Sequence, residues 1–325
     1  MSIKMTRRAF SGAVAATAAV AGLPGQGDAA VTFKYANASN EQNLSNQFAA
    51  MFLKEVEKRT NGEVKTQILY NMGGEKSILE GVSLGTLDMA VVGYSGLREF
   101  DVFYTPYLLR DIPHGVEVMK GPIGERAAKA MKDRYNVRLV GVGSTGPFLL
   151  GIKEPAGSWA DLKDRKIRVP QFEAYLEAIA ALDARPTPIP FNEVYLALQQ
   201  GVVEGLVTIL NVMLANKFVE VCKYVVANDF GVGLDKFVVS ERSWSRMTPA
   251  QQQIFQDTYD EMMPVHFVQR AIDQAALDFK KWEELNGDGT VLRLDAEQLQ
   301  RTMEPVGRKL ADDIYGPGAY DLFQA

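Results

Sequence analysis

Cysteine and histidine are scarce in this sequence. The 325 residues include one cysteine, Cys222, and two histidines, His114 and His266. A single thiol cannot form a disulfide within the chain, and three such residues this far apart in sequence lack the spacing of a Cys/His metal site. We therefore expect a fold that needs neither a disulfide nor a metal, and we predict no cofactor.

The common catalytic motifs are also missing. The sequence contains no GxSxG, HExxH, GxxxxGK[ST] or GxGxxG, and its nearest glycine cluster, GVGSTG at Gly141–Gly146, has the wrong spacing. His266 lies within a predicted helix, where a packing or surface histidine is more common than a catalytic base. The chain is therefore not expected to be an enzyme.

Basic residues are not in excess. The formal net charge is −5, and without residues 1–30 the chain keeps 32 basic and 39 acidic residues. A mildly acidic protein is a poor partner for nucleic acid or an anionic membrane. No apolar run reaches the length of a membrane span, so we expect a soluble mature protein.

The N-terminus resembles an export signal. It begins with basic residues, continues with a weakly apolar run from Ala13 to Leu23, and offers a cleavage site near Ala29 or Ala30. Arg7 and Arg8, which are adjacent, fit the twin-arginine export route, and a general secretory leader is the alternative. Residues 1–30 are thus predicted to be a signal peptide, and the mature chain to reach the periplasm.

Beyond the leader, strand-like and helix-like segments alternate, as in an α/β protein. Residues 31–150 are predicted to form a first α/β lobe and residues 151–240 a second. Residues 241–325 should supply a long helix spanning both lobes, then a strand and a helix packing mainly on the first lobe. Thr248 and Gln251 predict a capping box at the start of that helix, and Pro264 predicts a kink within it. Earlier in the chain, Asn192 is predicted to cap the helix EVYLALQQ, residues 193–200.

Arg168 is the most unusual residue in this pattern. It stands between Ile167 and Val169 in KIRVP, Lys166–Pro170, a short apolar strand that the proline ends. A buried guanidinium is costly unless an anion pairs with it. The anion could be a protein carboxylate, or the strand could be an exposed edge. Alternatively, a ligand carboxylate could bind there, because ligands of open α/β sheets gather at the carboxyl ends of strands.

The run from Leu162 to Gly205, with IRVP followed by PTPIPFNEVYLALQQGVVEG, resembles the solute-binding proteins of TRAP transporters, the tripartite ATP-independent periplasmic family of the DctP type. The resemblance implies a two-lobed periplasmic binding protein with its ligand between the lobes. It also implies that Arg168 pairs with the carboxylate of an organic acid. Its expected partners are the small and large membrane subunits of the transporter, and the protein is expected to be a monomer.

Two ligand-contacting residues of the family pattern do not carry over to this sequence. Thr208 occupies the place of a ligand-contacting asparagine, and Pro147 and Phe148 stand where a second arginine is common. With less charge available, we hypothesise a ligand with one carboxylate and an apolar or aromatic body, and Tyr175 is a further candidate for its wall. The predicted ligand-binding residues are Arg168, Thr208, Glu75, Phe148, Tyr94, Asn40, Asn43, Phe172 and Asn211.

Two other functions remain open at this stage. A binding protein of this kind could present its ligand to a receptor kinase, and an exported enzyme could use a similar two-lobed scaffold. Neighbouring genes would separate transport from sensing: genes for membrane transport subunits favour transport, and a gene for a kinase favours sensing.

Overall fold

The computed structural model describes residues 31–325 and shows two β-sheets covered by helices. The first sheet contains β1 (Val31–Ala36), β2 (Val64–Leu69), β3 (Met89–Val92), β4 (Val137–Gly143) and β10 (Asp235–Ser240). Its order is β2-β1-β3-β10-β4, with β10 antiparallel to both neighbours.

The second sheet contains β5 (Phe148–Ile152), β6 (Lys166–Val169), β7 (Arg185–Pro188), β8 (Gly205–Ile209), β9 (Tyr224–Val226) and β11 (Val291–Leu292). Its order is β11-β9-β5-β8-β6-β7. β6 runs parallel to β7 and β8, whereas β5 is antiparallel to β8 and β9. Each sheet is the centre of one lobe.

The helices connect and cover these strands. They are α1 (Leu44–Arg59), α2 (Glu75–Leu84), α3 (Arg98–Asp101), α4 (Ile112–Val118), α5 (Pro122–Tyr135), α6 (Glu173–Ala180), α7 (Val194–Gln199), α8 (Leu210–Ala215), α9 (Glu241–Trp244), α10 (Pro249–Met263), α11 (Arg270–Asn286), α12 (Ala296–Tyr315) and α13 (Ala319–Gln324). None of these helices, in the range 31–325, combines the length and apolar character that a membrane crossing requires. The predicted export signal lies outside the described residues.

Strand pairing divides the chain differently from the predicted lobe ranges. β5 begins at Phe148 but belongs to the second sheet, and β10 lies in the first sheet although its residues fall in the range predicted for the second lobe. The apolar strand KFVVS is buried between β3 and β4, a position that local sequence patterns cannot distinguish from a place in the other sheet. The chain therefore crosses between the lobes before β5 and again before β10.

The long helical region begins at the predicted capping box, in which the side chains of Thr248 and Gln251 each accept the other's backbone N–H. α10 packs on α1 and β4 of the first lobe, and α11 packs on α8 of the second. Between them, Pro264–Gln269 form a π-helical segment that starts at the predicted kink. The predicted cap at Asn192 is wrong, because Phe191–Glu193 form a 3₁₀ turn and α7 begins at Val194 without a side-chain cap.

Glycines 141 and 143, in the cluster noted above, allow this helical region to approach β4. A Cβ on Gly141 would lie 2.3 Å from a ring carbon of Tyr259, and one on Gly143 would lie 2.0 Å from the ring of Phe267. Both rings belong to the buried aromatic group around Phe48. The glycines thus serve helix packing and form no phosphate loop.

The C-terminal helix α12 also contacts both lobes. It packs on α3 of the first and on α6 of the second, where Lys309 pairs with Glu177 at 3.2 Å. The predicted packing of this helix mainly on the first lobe therefore describes only part of its surroundings. The strand predicted to pack with it, β11, pairs with β9 and lies in the second sheet, not on the first lobe.

Candidate functional site

A cavity of about 90 Å³ lies between the two lobes. Its walls come from the carboxyl ends of β1, β3, β4, β6 and β8 and from the first residues of β5 and β10. The two sheets therefore face each other with the edges at which open α/β sheets bind ligands. The lining residues are Asn37, Ala38, Ser39, Asn43, Ser45, Glu75, Val91, Gly93, Thr145, Phe148, Arg168, Pro170, Phe172, Phe191, Thr208, Ile209, Val212 and Asp235.

Arg168 lies in this cavity and is only 3% exposed. Its place on β6, between β7 and β8, is fixed by pairing with Thr187 and Leu206. The guanidinium donates from Nε to the Ile189 carbonyl at 3.0 Å and from Nη1 to the Val207 carbonyl at 3.2 Å. Nη2 makes no hydrogen bond to any residue in the range 31–325.

No carboxylate of the described chain lies within 4.0 Å of this guanidinium. Burial lowers the pKa of Arg168 to about 9, and the more distant Glu75 raises it only in part. The internal salt bridge considered from the sequence is therefore absent within residues 31–325, and so is an exposed edge, since β6 has a neighbour on each side. The cavity contains a positive charge without a contacting counterion.

Thr208 lies on β8, the strand next to the β6 strand of Arg168, and lines the same cavity. It is also buried, with 5% of its surface exposed. Its backbone pairs with Leu149 of β5, which turns the start of β5 toward the same cavity. The Thr208 hydroxyl is available to a bound molecule, because no described residue hydrogen-bonds to it.

The aromatic candidates differ in position. Phe148 and Phe172 line the cavity. Tyr94 stacks on Phe172 with ring centroids 6.1 Å apart but lines an adjoining open cleft of about 410 Å³, which shares Arg168 and Glu75 with the main cavity. Tyr175 is buried behind the wall, with its ring 5.1 Å from that of Phe148. Phe191, which the sequence reasoning missed, completes the apolar wall.

Glu75 and Asp235 approach each other on the opposite wall. The Glu75 carboxylate, on the first residue of α2, accepts the backbone N–H groups of Gly93 at 2.6 Å and Tyr94 at 3.2 Å. Asp235, the first residue of β10, accepts the Thr145 hydroxyl at 3.2 Å. Burial, and then the nearby Glu75, raise the pKa of Asp235 to about 6.

A buried lysine stands next to Asp235 in sequence. Lys236 is 1% exposed, and its ammonium donates to the Tyr104 hydroxyl at 2.7 Å and to the Leu234 carbonyl at 3.2 Å. Burial lowers its pKa to about 8, against the attraction of Asp101, Asp235 and Glu75. Lys236 thus offsets part of the negative charge behind the cavity wall.

The predicted asparagines have structural contacts. Asn43 lines the cavity and caps α1, where its side chain accepts the N–H and hydroxyl of Ser45. Asn40 and Asn211 do not line the cavity, and both connect the lobes. Asn40 donates to the Ala215 carbonyl at 2.8 Å, and Asn211 accepts the Leu44 N–H at 3.3 Å.

Asp235 and Thr145 are the cavity residues that the sequence reasoning missed most clearly. Thr145 follows β4 at the end of the glycine cluster, and Asp235 opens β10, a strand that the predicted ranges place in the second lobe although it lies in the first sheet. The available signal was the carboxylate itself, at the start of an apolar strand in LDKFVVS.

Comparison with known proteins agrees with this architecture. The family model for bacterial extracellular solute-binding proteins of family 7, DctP, matches residues 35–313. A solute-binding protein of Roseobacter denitrificans is 30% identical over 228 residues, covering 68% of this chain and 70% of that protein. The sialic acid-binding periplasmic protein SiaP of Vibrio cholerae is 26% identical over 297 residues, covering 89% of this chain and 91% of SiaP.

Solved structures show the same fold. A TRAP periplasmic solute-binding protein of Polaromonas, bound to D-erythronate, has a TM-score of 0.83 at 24% identity and covers 90% of this chain and 98% of its own. Another from Desulfovibrio salexigens, with bound orotic acid, has a TM-score of 0.81 at 24% identity, with coverage of 90% and 97%. The predicted two-lobed α/β fold is confirmed.

Proposed function

Since this chain belongs to family 7 of the bacterial extracellular solute-binding proteins, as its resemblance predicted, we propose that it captures a small organic acid between its lobes. In this proposal Arg168 binds the carboxylate of the acid. The observation that carries this proposal is a buried guanidinium that lines the cavity with no carboxylate within 4.0 Å among residues 31–325. A carboxylate in the cavity would supply the missing counterion.

Thr208 supports the same role. Its hydroxyl shares the cavity with Arg168 and has no protein partner in the described range, so it can donate to the carboxylate or to a neighbouring oxygen. The relatives bound to D-erythronate and to orotic acid support an acid as the ligand class.

The second-lobe wall suits an apolar part of the ligand. Phe148, Phe172, Phe191, Ile209 and Val212 face the cavity on this side. Burying a ligand surface against them would add affinity without further charge. We propose that the acid has a compact apolar face directed toward this wall.

In this account the lobes close around the acid, and the closed protein delivers it to the membrane subunits of a TRAP transporter. The chain binds and releases its ligand without chemical change. The crossing segments before β5 and β10 and the π-helical segment at Pro264–Gln269 connect the lobes and are the places where closure would bend the chain.

Thermal-shift and calorimetric measurements with D-erythronate, L-galactonate and orotate test the proposal. We expect at least one acid to stabilise the protein. We expect Arg168→Ala to lose about thirtyfold to several thousandfold in affinity for it, because removing one member of a desolvated charge pair costs about 2–5 kcal/mol. Lys163→Ala, which removes an exposed positive charge of the same lobe, is the matched control and should bind normally.

Arg168→Ala leaves two buried carbonyls without their donor and could therefore disturb folding. Circular dichroism checks that the variant is folded, and Arg168→Lys serves as a second variant that keeps the positive charge. If a folded Arg168→Ala protein bound the acid as tightly as the wild type, the proposal would be wrong.

A further inference from the structure

The cavity wall opposite Arg168 carries two hydrogen-bond acceptors of high capacity. Glu75 and Asp235 are both carboxylates, and both face the cavity from the first lobe. The protein donors close to them, the Gly93 and Tyr94 N–H groups and the Thr145 hydroxyl, already point at these two carboxylates. Further lone pairs of the carboxylates remain available to a bound molecule.

The two carboxylates converge above Gly93. A Cβ on this glycine would lie 3.4 Å from Oε1 of Glu75 and 3.7 Å from Oδ1 of Asp235. One small group of a ligand placed near this point could therefore contact both side chains.

The side-chain oxygens of the two asparagines on this wall are occupied. Asn37 donates to the Val91 carbonyl at 2.8 Å and accepts the Ser39 N–H at 2.8 Å. Asn43 accepts both the N–H and the hydroxyl of Ser45. Glu75 and Asp235 are thus the side chains of this wall with the most accepting capacity left for a ligand.

Charge balance points in the same direction. In the cavity, the positive charge of Arg168 is offset at a distance by Glu75. The negative charge of Asp235 is offset only in part by Lys236 behind the wall, because Lys236 also interacts with the charge of Asp101. A second ligand carboxylate would place a third negative group against Glu75 and Asp235 in a poorly solvated space, which is strongly unfavourable. A ligand group that donates hydrogen bonds would be stabilised there instead.

We infer that the ligand carries a hydrogen-bond donor, an ammonium or a hydroxyl, on the side away from its carboxylate, and that Glu75 and Asp235 together bind this donor. This inference rests on the proposed function, in which Arg168 holds the carboxylate. It assigns to the pair a specificity role: acids with a donor at this end are accepted, whereas dicarboxylates and plain alkyl acids are rejected.

Two matched series of acids test this selection by calorimetry. The first is 4-aminobutyrate, 4-hydroxybutyrate, butyrate and succinate, which share a four-carbon chain and differ at one end. The second is D-galactonate against galactarate, its dicarboxylate counterpart. In any series that binds, we expect the donor-bearing acid to bind at least about tenfold more tightly than the plain acid or the dicarboxylate, as one charge-assisted hydrogen bond allows. The amine and hydroxyl members distinguish the two kinds of donor.

Glu75→Gln and Asp235→Asn test the residues. Each amide keeps the size of the side chain but removes its charge, so each should weaken the preferred acid about tenfold and reduce its advantage over the dicarboxylate. Glu125→Gln, an exposed change on α5, removes the same charge outside the cavity and should alter neither affinity nor preference.

The outcomes separate the two proposals. Equal or tighter binding of butyrate, succinate or galactarate than of the donor-bearing acids, with Arg168 still required, would overturn this inference and leave the proposed function intact. An unchanged preference in both amide variants would also overturn it. Failure of every carboxylate in both series and of D-erythronate, L-galactonate and orotate to bind would contradict the proposed function itself.

Discussion

Arg168 occupies a position that costs folding energy and suits binding. Its guanidinium is buried, and two backbone carbonyls satisfy part of its hydrogen bonding without neutralising its charge. A protein selected for stability alone would gain by placing a carboxylate or an apolar residue there. The sequence allowed this residue to be identified because a charged side chain interrupts an apolar strand that ends in proline.

Asp235 could not be identified in the same way. Its importance depends on β10 lying between β3 and β4, and on Gly93 of another segment bringing Glu75 close to it. Neither relation leaves a local pattern in the sequence. Arg168 interrupts an apolar strand, whereas the carboxylate of Asp235 only precedes one, which explains why only Arg168 was predicted.

Asp101 gives a prediction about pH. It is 6% exposed, and burial raises its pKa to about 7, although Lys236 and the Ser95 hydroxyl act in the opposite direction. Between pH 4 and 7 the folded protein therefore holds this proton more strongly than the unfolded chain does. The contribution of Asp101 to the free energy of unfolding must then fall as the pH rises through this window.

Asp101→Asn removes this contribution. Relative to the wild type, the variant should become more stable as the pH rises from 4 to 7, by an amount on the order of 1–4 kcal/mol. Urea unfolding at a series of pH values measures the difference. The exposed Asp288→Asn should follow the wild-type curve, and an Asp101→Asn curve parallel to the wild type would refute the assignment.

At the level of secondary structure, an ion pair joins α3 of the first lobe to α6 of the second. Arg98 Nε lies 2.6 Å from Oε2 of Glu173, and Nη2 lies 3.1 Å from Oε1, which is a bidentate arrangement. Both side chains are at least 40% exposed, so the pair should add less than about 1 kcal/mol to stability. Because it bridges the lobes, its effect should appear in ligand binding.

We expect Arg98→Glu to weaken binding of the preferred acid about two- to fivefold, by replacing this attraction with repulsion between the lobes. The exchanged pair, Arg98→Glu with Glu173→Arg, should recover most of the affinity. Calorimetry of the single and double variants provides the measurement, and a double variant no better than Arg98→Glu alone would show that the pair does not couple to binding.

Helix starts were predictable where the side chain itself makes the cap. Thr248 and Gln251 form their capping box as predicted, because all of its contacts are local. Asn192 has a suitable residue type, yet a 3₁₀ turn precedes α7 and moves the helix start past it. The difference arises from the prolines at 188 and 190, which hold the chain extended immediately before this turn.

At the level of the whole molecule, the two lobes meet where the carboxyl ends of the parallel strands of both sheets line the cavity. Residues from both lobes complete one cavity, so neither lobe contains the site alone. The α/β class and the family could be predicted from alternating segments and from the IRVP region. The places where the chain crosses between the lobes could not, because an apolar strand fits either sheet until its neighbours are known.

The pairing of a ligand carboxylate with Arg168 is tested most directly by a thermodynamic cycle. Calorimetry would compare the preferred acid with its uncharged carboxamide, in the wild type and in Arg168→Gln. We predict that loss of the ligand charge weakens binding to the wild type about a hundredfold or more, and binding to Arg168→Gln by less than about tenfold, since the partner charge is already gone. Equal losses in both proteins would show that the carboxylate and Arg168 bind independently, which would contradict the account.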